Sequence, residues 1–438
     1  MIIKPVATSS PEGREILAGL QDRFQSTDDS CRQAVTDIIR NVREQGDEAL
    51  VEYTRQFDSP KFTVDQLKVS REEIDRAFEK VDAKLLATLE LAIDRIQTFH
   101  EKEKEESWTM TNANGIITGR LVNPVDSAGL YVPGGQGGQT PLVSSVLMNG
   151  IPAGIAGVKR RVMVTPPDES GQVNPALLVA ADKIGIDEIY KAGSAWAIAA
   201  LAYGTKSIPK VDVIVGPGNQ YVAEAKQQVS GRVRIDMIAG PSEVLIVADR
   251  NAKPSYIAAD MLAQAEHDPL ALAMLVTTSN DVAGKVIEEL AEQVTQLDRE
   301  EIARRSLKNR GVILVAETIE EAIEIANQLA AEHLELMIDN AFDQVKNIRH
   351  AGAIFVGENV PESTGDYLAG PNHVLPTMGT ARFSSALGVE TFVKKSSIIS
   401  YPREALLADS EHIQRLATLE GLTGHARSAA IRTDDDSQ

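Results

Sequence analysis

The hexapeptide Gln264-Ala265-Glu266-His267-Asp268-Pro269 sets an amide and an imidazole three residues apart, at the close of the apolar run Ile257-Ala258-Ala259-Asp260-Met261-Leu262-Ala263. On a helix that spacing projects both side chains from one face. Pro269 disfavours helical backbone at Asp268, so the helix should stop near His267. The carbonyl end of a helix favours a cation. Two ligands facing one point are half of a metal site, although a hydrogen-bonded helix end would use the same residues. Glu332-His333 is a second locus, an adjacent carboxylate and imidazole just before the apolar run Leu334-Glu335-Leu336-Met337-Ile338. Two bases at one place suit two successive deprotonations; a capped helix end with a surface carboxylate is the competing reading. Asp366, in Ser363-Thr364-Gly365-Asp366-Tyr367, offers an oxygen ligand, and His425 follows glycines at 421 and 424 that break the last helical stripe. His100, His350 and His412 lie among charged or polar neighbours and read as solvated.

These residues need elements to hold them. Residues 1 to about 120 read as helical and heavily charged, with Asp28-Asp29 as a cap for a helix that ends near Gly46. Strand–helix alternation then begins, with strands at 128–132, 161–165, 188–191 and 211–215. A second series has strands at 243–247, 271–277, 311–315, 334–338 and 353–356, separated by helices at about 254–267, 281–293 and 318–332. Strands joined by single helices imply parallel, right-handed α/β units, so the fold class is α/β with two lobes in tandem. A segment of roughly thirty residues after Gly357, dense in Gly, Pro, Ser and Thr, is too long for an idle loop and holds Asp366, His373 and Arg382. The chain then returns to helix. The helix-to-strand turns that carry the histidines lie opposite the edge where parallel sheets usually bind ligands, unless another lobe or subunit closes over them.

No dinucleotide fingerprint is present. Pro133-Gly134-Gly135-Gln136-Gly137-Gly138 follows a strand without matching Gly-x-Gly-x-x-Gly, and Gly216-Pro217-Gly218-Asn219 is a second amide-rich turn able to hold phosphate or ribose. The net charge of −19 over 438 residues argues against nucleic acid or an anionic membrane as partner. Cys31 is the one cysteine, which excludes a disulfide framework and fits a reducing cytoplasm; it reads as structural. No signal-peptide core follows the first residues, no apolar run reaches the ~18 residues of a membrane span, and the acidic end after Thr433 reads as a frayed tail.

Six stretches in order resemble the histidinol dehydrogenase family over about residues 30 to 430: Gly129-Leu130-Tyr131-Val132-Pro133-Gly134-Gly135, Val215-Gly216-Pro217-Gly218-Asn219, Ile238-Ala239-Gly240-Pro241-Ser242-Glu243, the hexapeptide at 264–269, Ala331-Glu332-His333-Leu334-Glu335, and Gly365-Asp366-Tyr367-Leu368-Ala369-Gly370-Pro371-Asn372-His373. The resemblance implies a cytoplasmic, zinc- and NAD-dependent oxidation of L-histidinol through bound L-histidinal to L-histidine. It implies one zinc per chain on Gln264, His267, Asp366 and His425 of the partner subunit, with Ser242, His333 and Glu420 joining these ligands in binding substrate. Glu332 and His333 would be the bases, and Tyr131 and Asn219 would contact dinucleotide. The implied fold is an intertwined homodimer of two incomplete Rossmann-like lobes: a helical region over 1–125 packing with the second lobe, a dinucleotide lobe over 126–242, a zinc and Glu-His lobe over 243–387, and a helical tail over 388–438 reaching the partner's site. Two departures lie on the cofactor side. Trp196, in Ala192-Gly193-Ser194-Ala195-Trp196, replaces the family's dinucleotide-contacting glutamine, either stacking in its place or serving as core, and the loop after Gly135 is longer. A hydrate route to the acid agrees with the cysteine content, since a thiohemiacetal would need a catalytic thiol and Cys31 is poorly placed to be one. Competing readings are a sister zinc dehydrogenase acting on another polar alcohol, such as a sulfonated diol, and a non-catalytic sensor, which would not need the pair of bases.

Overall fold

The computed structural model describes residues 3–23, 29–134 and 140–433. The strands are β1 (Pro5–Ala7), β2 (Trp108–Thr111), β3 (Ile117–Pro124), β4 (Ser127–Tyr131), β5 (Arg160–Thr165), β6 (Glu188–Lys191), β7 (Val213–Val215), β8 (Arg234–Ile235), β9 (Glu243–Ala248), β10 (Leu272–Thr277), β11 (Val312–Val315), β12 (His333–Met337), β13 (Ala353–Val356) and β14 (Val393–Ser400). They form two parallel sheets, ordered β6-β5-β4-β7-β8 and β1-β11-β10-β9-β12-β13, and an antiparallel sheet β14-β3-β2. The chain is therefore α/β with parallel sheets. Both parallel sheets belong to one compact unit, Met1–Glu103 with Asp126–Phe392. A second unit, Lys104–Val125 with Val393–Gln438, holds the antiparallel sheet and the helices Arg403–Leu419 and Thr423–Ala430.

The central strands β4, β9, β10 and β12 are buried at every position, as parallel strands covered on both faces must be. The helix Asp29–Gln45 presents Val35, Ile38, Ile39 and Val42 to a core shared with Val162, Tyr190 and the helix Ser194–Tyr203. The long N-terminal helices thus pack against the five-stranded sheet, where the sequence had suggested the second lobe. Among the described residues, β1 and the helix Pro11–Gln21 join the six-stranded sheet, where Val6, Leu20 and Leu314 share one core. Cys31 is buried in the first core. The sheet β14-β3-β2 was not foreseen: its strands are largely exposed, so no burial pattern marks them. The Asp28 half of the proposed cap, the loop just after Gly134 and the acidic tail lie outside the described residues.

Candidate active site

Three strand starts line up at the amino edge of the six-stranded sheet. Register pairs His333 with Val244 and Leu272 with Glu243, so β12, β9 and β10 begin side by side. His333 is the first residue of β12 rather than the end of the preceding helix. That helix, Ile319–Leu329, is stopped by Ala330 in left-handed backbone (φ 48), which turns the chain into Glu332 and β12.

Both members of the pair bond to one residue of β9. The Glu243 N–H donates to Glu332 Oε2 at 2.8 Å, and His333 Nδ1 lies 3.0 Å from the Glu243 carbonyl. A carbonyl only accepts, so Nδ1 carries the proton and Nε2 keeps its lone pair. Burial pushes the Glu332 carboxyl well above the usual range, and the Ser242 hydroxyl and Glu243 amide oppose this only in part. Burial takes His333 down to about 4, so its imidazole is neutral at pH 7. The turn before β9 is held where the Gly240 N–H donates to Thr377 Oγ1 at 2.7 Å.

The helix Pro254–Ala265 ends as expected, with His267 just beyond it and Asp268 accepting from the Leu270 N–H at 2.8 Å to turn the chain into β10. Gln264 is fully buried, and neither polar atom of its amide has a partner. The segment expected as a long loop contains a short helix, Glu362–Tyr367, whose i,i+4 face carries Glu362 and Asp366. Gly365 lets this helix lie on Phe355, since a Cβ there would sit 2.8 Å from the ring. One ligand atom each from His267, Glu362 and Asp366 lie within 4.8 Å of one another. Buried Glu362 Oε2 is unpartnered, and burial raises the Glu362 carboxyl. His373 Nδ1 is 3.0 Å from the Asp366 carbonyl. Behind the cluster, Asp260 is pushed up to about 6 by burial, with Glu335 beside it. Crowded carboxyl groups and orphaned amide atoms are the setting a divalent cation would satisfy.

Other site residues fall elsewhere. Glu420 and His425 lie in the second unit, both exposed; His425 is in the first turn of the helix Thr423–Ala430, and Gly424 is inside that helix. Tyr131 ends β4, with its hydroxyl accepting from the Ser194 N–H at 3.2 Å. Asn219 caps the helix Gln220–Val229, its Oδ1 accepting from Tyr221 and Val222. Gly216 (φ 115) lets this turn approach β4, where a Cβ would come within 2.1 Å of the Tyr131 carbonyl. The buried Lys226–Asp236 ion pair braces the turn, because Asp236 accepts from the Gly216 N–H and Lys226 donates to the Gly216 carbonyl. Trp196 is 4% exposed and stacks with both Tyr53 and Phe57, with ring centroids at 5.6 and 5.5 Å, so it is core. His100 is fully buried, 2.7 Å from Glu103, and not solvated as its charged neighbours suggested. Glu362 escaped the sequence reading, although its spacing to Asp366 was visible.

The family model described as histidinol dehydrogenase matches residues 21–433. The histidinol dehydrogenase of Desulfotalea psychrophila is 65% identical over 432 residues, covering 99% of this chain and 100% of that protein. That of Carboxydothermus hydrogenoformans is 50% identical, covering 97% and 99%. The crystal structure of histidinol dehydrogenase from Elizabethkingia anophelis superposes with a TM-score of 0.90 at 37% identity, covering 97% of each chain. An α/β oxidoreductase is thus the class that fold and relatives define. The chain belongs to the histidinol dehydrogenase family, and its reaction is the oxidation of histidinol in histidine biosynthesis. The reading as a dehydrogenase of a sulfonated diol is not favoured.

Proposed function

We propose that the amino-edge cluster converts L-histidinol through bound L-histidinal to L-histidine, with one zinc per chain, two NAD consumed in turn, and sites shared across a cytoplasmic homodimer. The observation that carries this reading is the shared anchor, Glu243, which presents a buried carboxyl and a tautomer-fixed imidazole beside a cation-ready group of ligands. Gln264, His267 and Asp366 hold the metal with His425 of the partner subunit, and the orphaned Gln264 amide supports the assignment. When bound, zinc anchors the substrate's imidazole and amine as a Lewis acid, and NAD takes the hydride. His333 Nε2 receives the alcohol proton. Glu332, once deprotonated, takes a proton from water adding to the aldehyde carbon, and the hydrate then loses its hydride. Ser242 orients Glu332 as well as substrate, and Glu420 meets the substrate's cationic end.

The two parallel sheets are read as the two incomplete Rossmann-like lobes. The dinucleotide lies along the turns after β4 and β7, near Tyr131 and Asn219, with Trp196 shaping that surface from within the core. The exposed Leu416 and Leu419 of the helix Arg403–Leu419 support burial against a second chain. A mixed dimer tests the sharing. When His425→Ala and His333→Ala chains are co-expressed with different tags and purified as the heterodimer, one site has both histidines and the other has neither. About half the wild-type rate is expected. A heterodimer as inactive as either parent homodimer would place His425 in its own chain's site.

A further inference from the structure

Glu243 contributes its backbone to the catalytic pair, and its side chain is held by a residue far away in sequence. Arg23 Nε and Nη2 grip Glu243 Oε1 and Oε2 at 2.5 and 2.7 Å. The remaining donors bond to two helix ends, Nη1 to the Leu20 carbonyl and Nη2 to the Leu329 carbonyl, both at 2.7 Å. The side chains of Arg23 and Glu243 are 4% and 1% exposed. One guanidinium therefore joins the end of the helix Pro11–Gln21, the end of the helix Ile319–Leu329 and the first residue of β9. The Leu329 carbonyl lies just before the Ala330 turn that delivers Glu332 and His333. Both sides of the pair, the anchor and the approach, meet at Arg23.

We propose that Arg23 is a positioning residue for the oxidation: through Glu243 and Leu329 it fixes the separation of Glu332 and His333, and it shields Glu332 from the Glu243 carboxylate. The proposal rests on the roles given above to Glu332 and His333. The bidentate fork suits the task, because a planar guanidinium fixes a carboxylate in angle as well as distance. Displacing catalytic groups by about 1 Å costs up to about a hundredfold in rate. The titratable groups facing Glu332 are Glu243 on β9, the neutral imidazole of His333 on β12, and Glu362 and Asp366 on the helix Glu362–Tyr367. Arg23 is the cation paired with Glu243, whose charge raises the Glu332 carboxyl even with that partner in place.

Three variants test it in the zinc-loaded dimer: Arg23→Lys, Arg23→Met, and the apolar double Arg23→Met/Glu243→Met. Removing one partner of a buried pair is strongly destabilising, whereas an apolar replacement of both is often neutral, so the double variant carries the test if Arg23→Met does not fold. Arg23→Lys should lower kcat for histidinal by about tenfold, with zinc content and KM unchanged. Where Arg23→Met folds, its kcat–pH profile should move to higher pH, because unshielded Glu243 makes Glu332 harder to deprotonate. The double variant should return the profile to the wild-type pH while kcat stays low, since charge is balanced but the anchor is loose. A merely cementing ion pair would alter melting temperature alone. Wild-type kcat and profile in Arg23→Lys and in the double variant would overturn the proposal. Glu332→Gln serves as control: normal histidinal oxidation there would sink the assignment of Glu332 itself, a separate failure.

Discussion

Replacing Glu332 by Gln changes one proton-accepting atom and almost nothing else. The amide oxygen can still accept the Glu243 N–H that Oε2 accepts at 2.8 Å, and the side chain is buried with its carboxyl already favouring the neutral form. Folding stability should therefore change by less than about 1 kcal/mol, the scale of one exchanged hydrogen bond. The rate should not be spared. A positioned general base contributes about 10²–10⁴-fold, or about 3–5 kcal/mol of barrier at 1.36 kcal/mol per decade. Histidinal supplied directly to the zinc-loaded variant should be oxidised slower by that factor, read by stopped-flow absorbance of NADH. In the wild type the aldehyde step should rise with pH above the ordinary carboxyl range, since burial holds the proton on Glu332 until then. The variant should lack that limb. Histidinal oxidation at the normal rate, or an unchanged pH limb, would refute the water-activating role.

Other perturbations separate the remaining parts. Gln264→Leu should abolish zinc in metal analysis yet raise the melting temperature of the metal-free protein, because two buried polar atoms without partners are removed. Gly216→Ala places a Cβ 2.1 Å from the Tyr131 carbonyl at a positive φ, so KM for NAD should rise while zinc content stays normal. Trp196→Gln empties a stacked core position; it should cost about 3 kcal/mol in denaturant unfolding. In metal-free protein His333 stays neutral down to about pH 4, whereas an unfolded histidine binds its proton near pH 6.5. The unfolded state binds more protons in that window, so the His333 contribution, of order 3 kcal/mol, is complete above pH 6.5 and lost as pH falls towards 4. His333→Asn should remove that slope from the unfolding curves.

Most of the parallel strands were legible because each is a short apolar run bounded by turns, and burial on both faces leaves that trace; β1 and β8, of three and two residues, are too short to leave one. β6 and β13 fall where the sequence placed them, and the other expected strands shift by a residue or two. The hexapeptide was legible for local reasons: apolar periodicity, a proline stop and two candidate ligands one turn apart. What stayed hidden depends on distant partners. β14 pairs with β3 from the far end of the chain, and its exposed Lys394, Lys395 and Ser396 give no alternation. Trp196 reads as core only once Tyr53 and Phe57 of the helix Asp47–Phe57 are seen stacked against it. Glu362 was lost because Gly, Ser and Thr around it suggest loop, whereas Pro361 starts a short helix. Arg23 looks like any basic residue at a helix end until Glu243 is beside it. Candidate side chains were thus marked by local spacing, and the contacts that hold them were not.

The most direct test of two oxidations at one pair of bases is a stoichiometry. Limiting L-histidinol added to zinc-loaded protein with excess NAD should yield two NADH per histidinol, with L-histidine as product and no histidinal in solution. One NADH per histidinol with free aldehyde accumulating would contradict the assignment of both steps to the Glu332–His333 site.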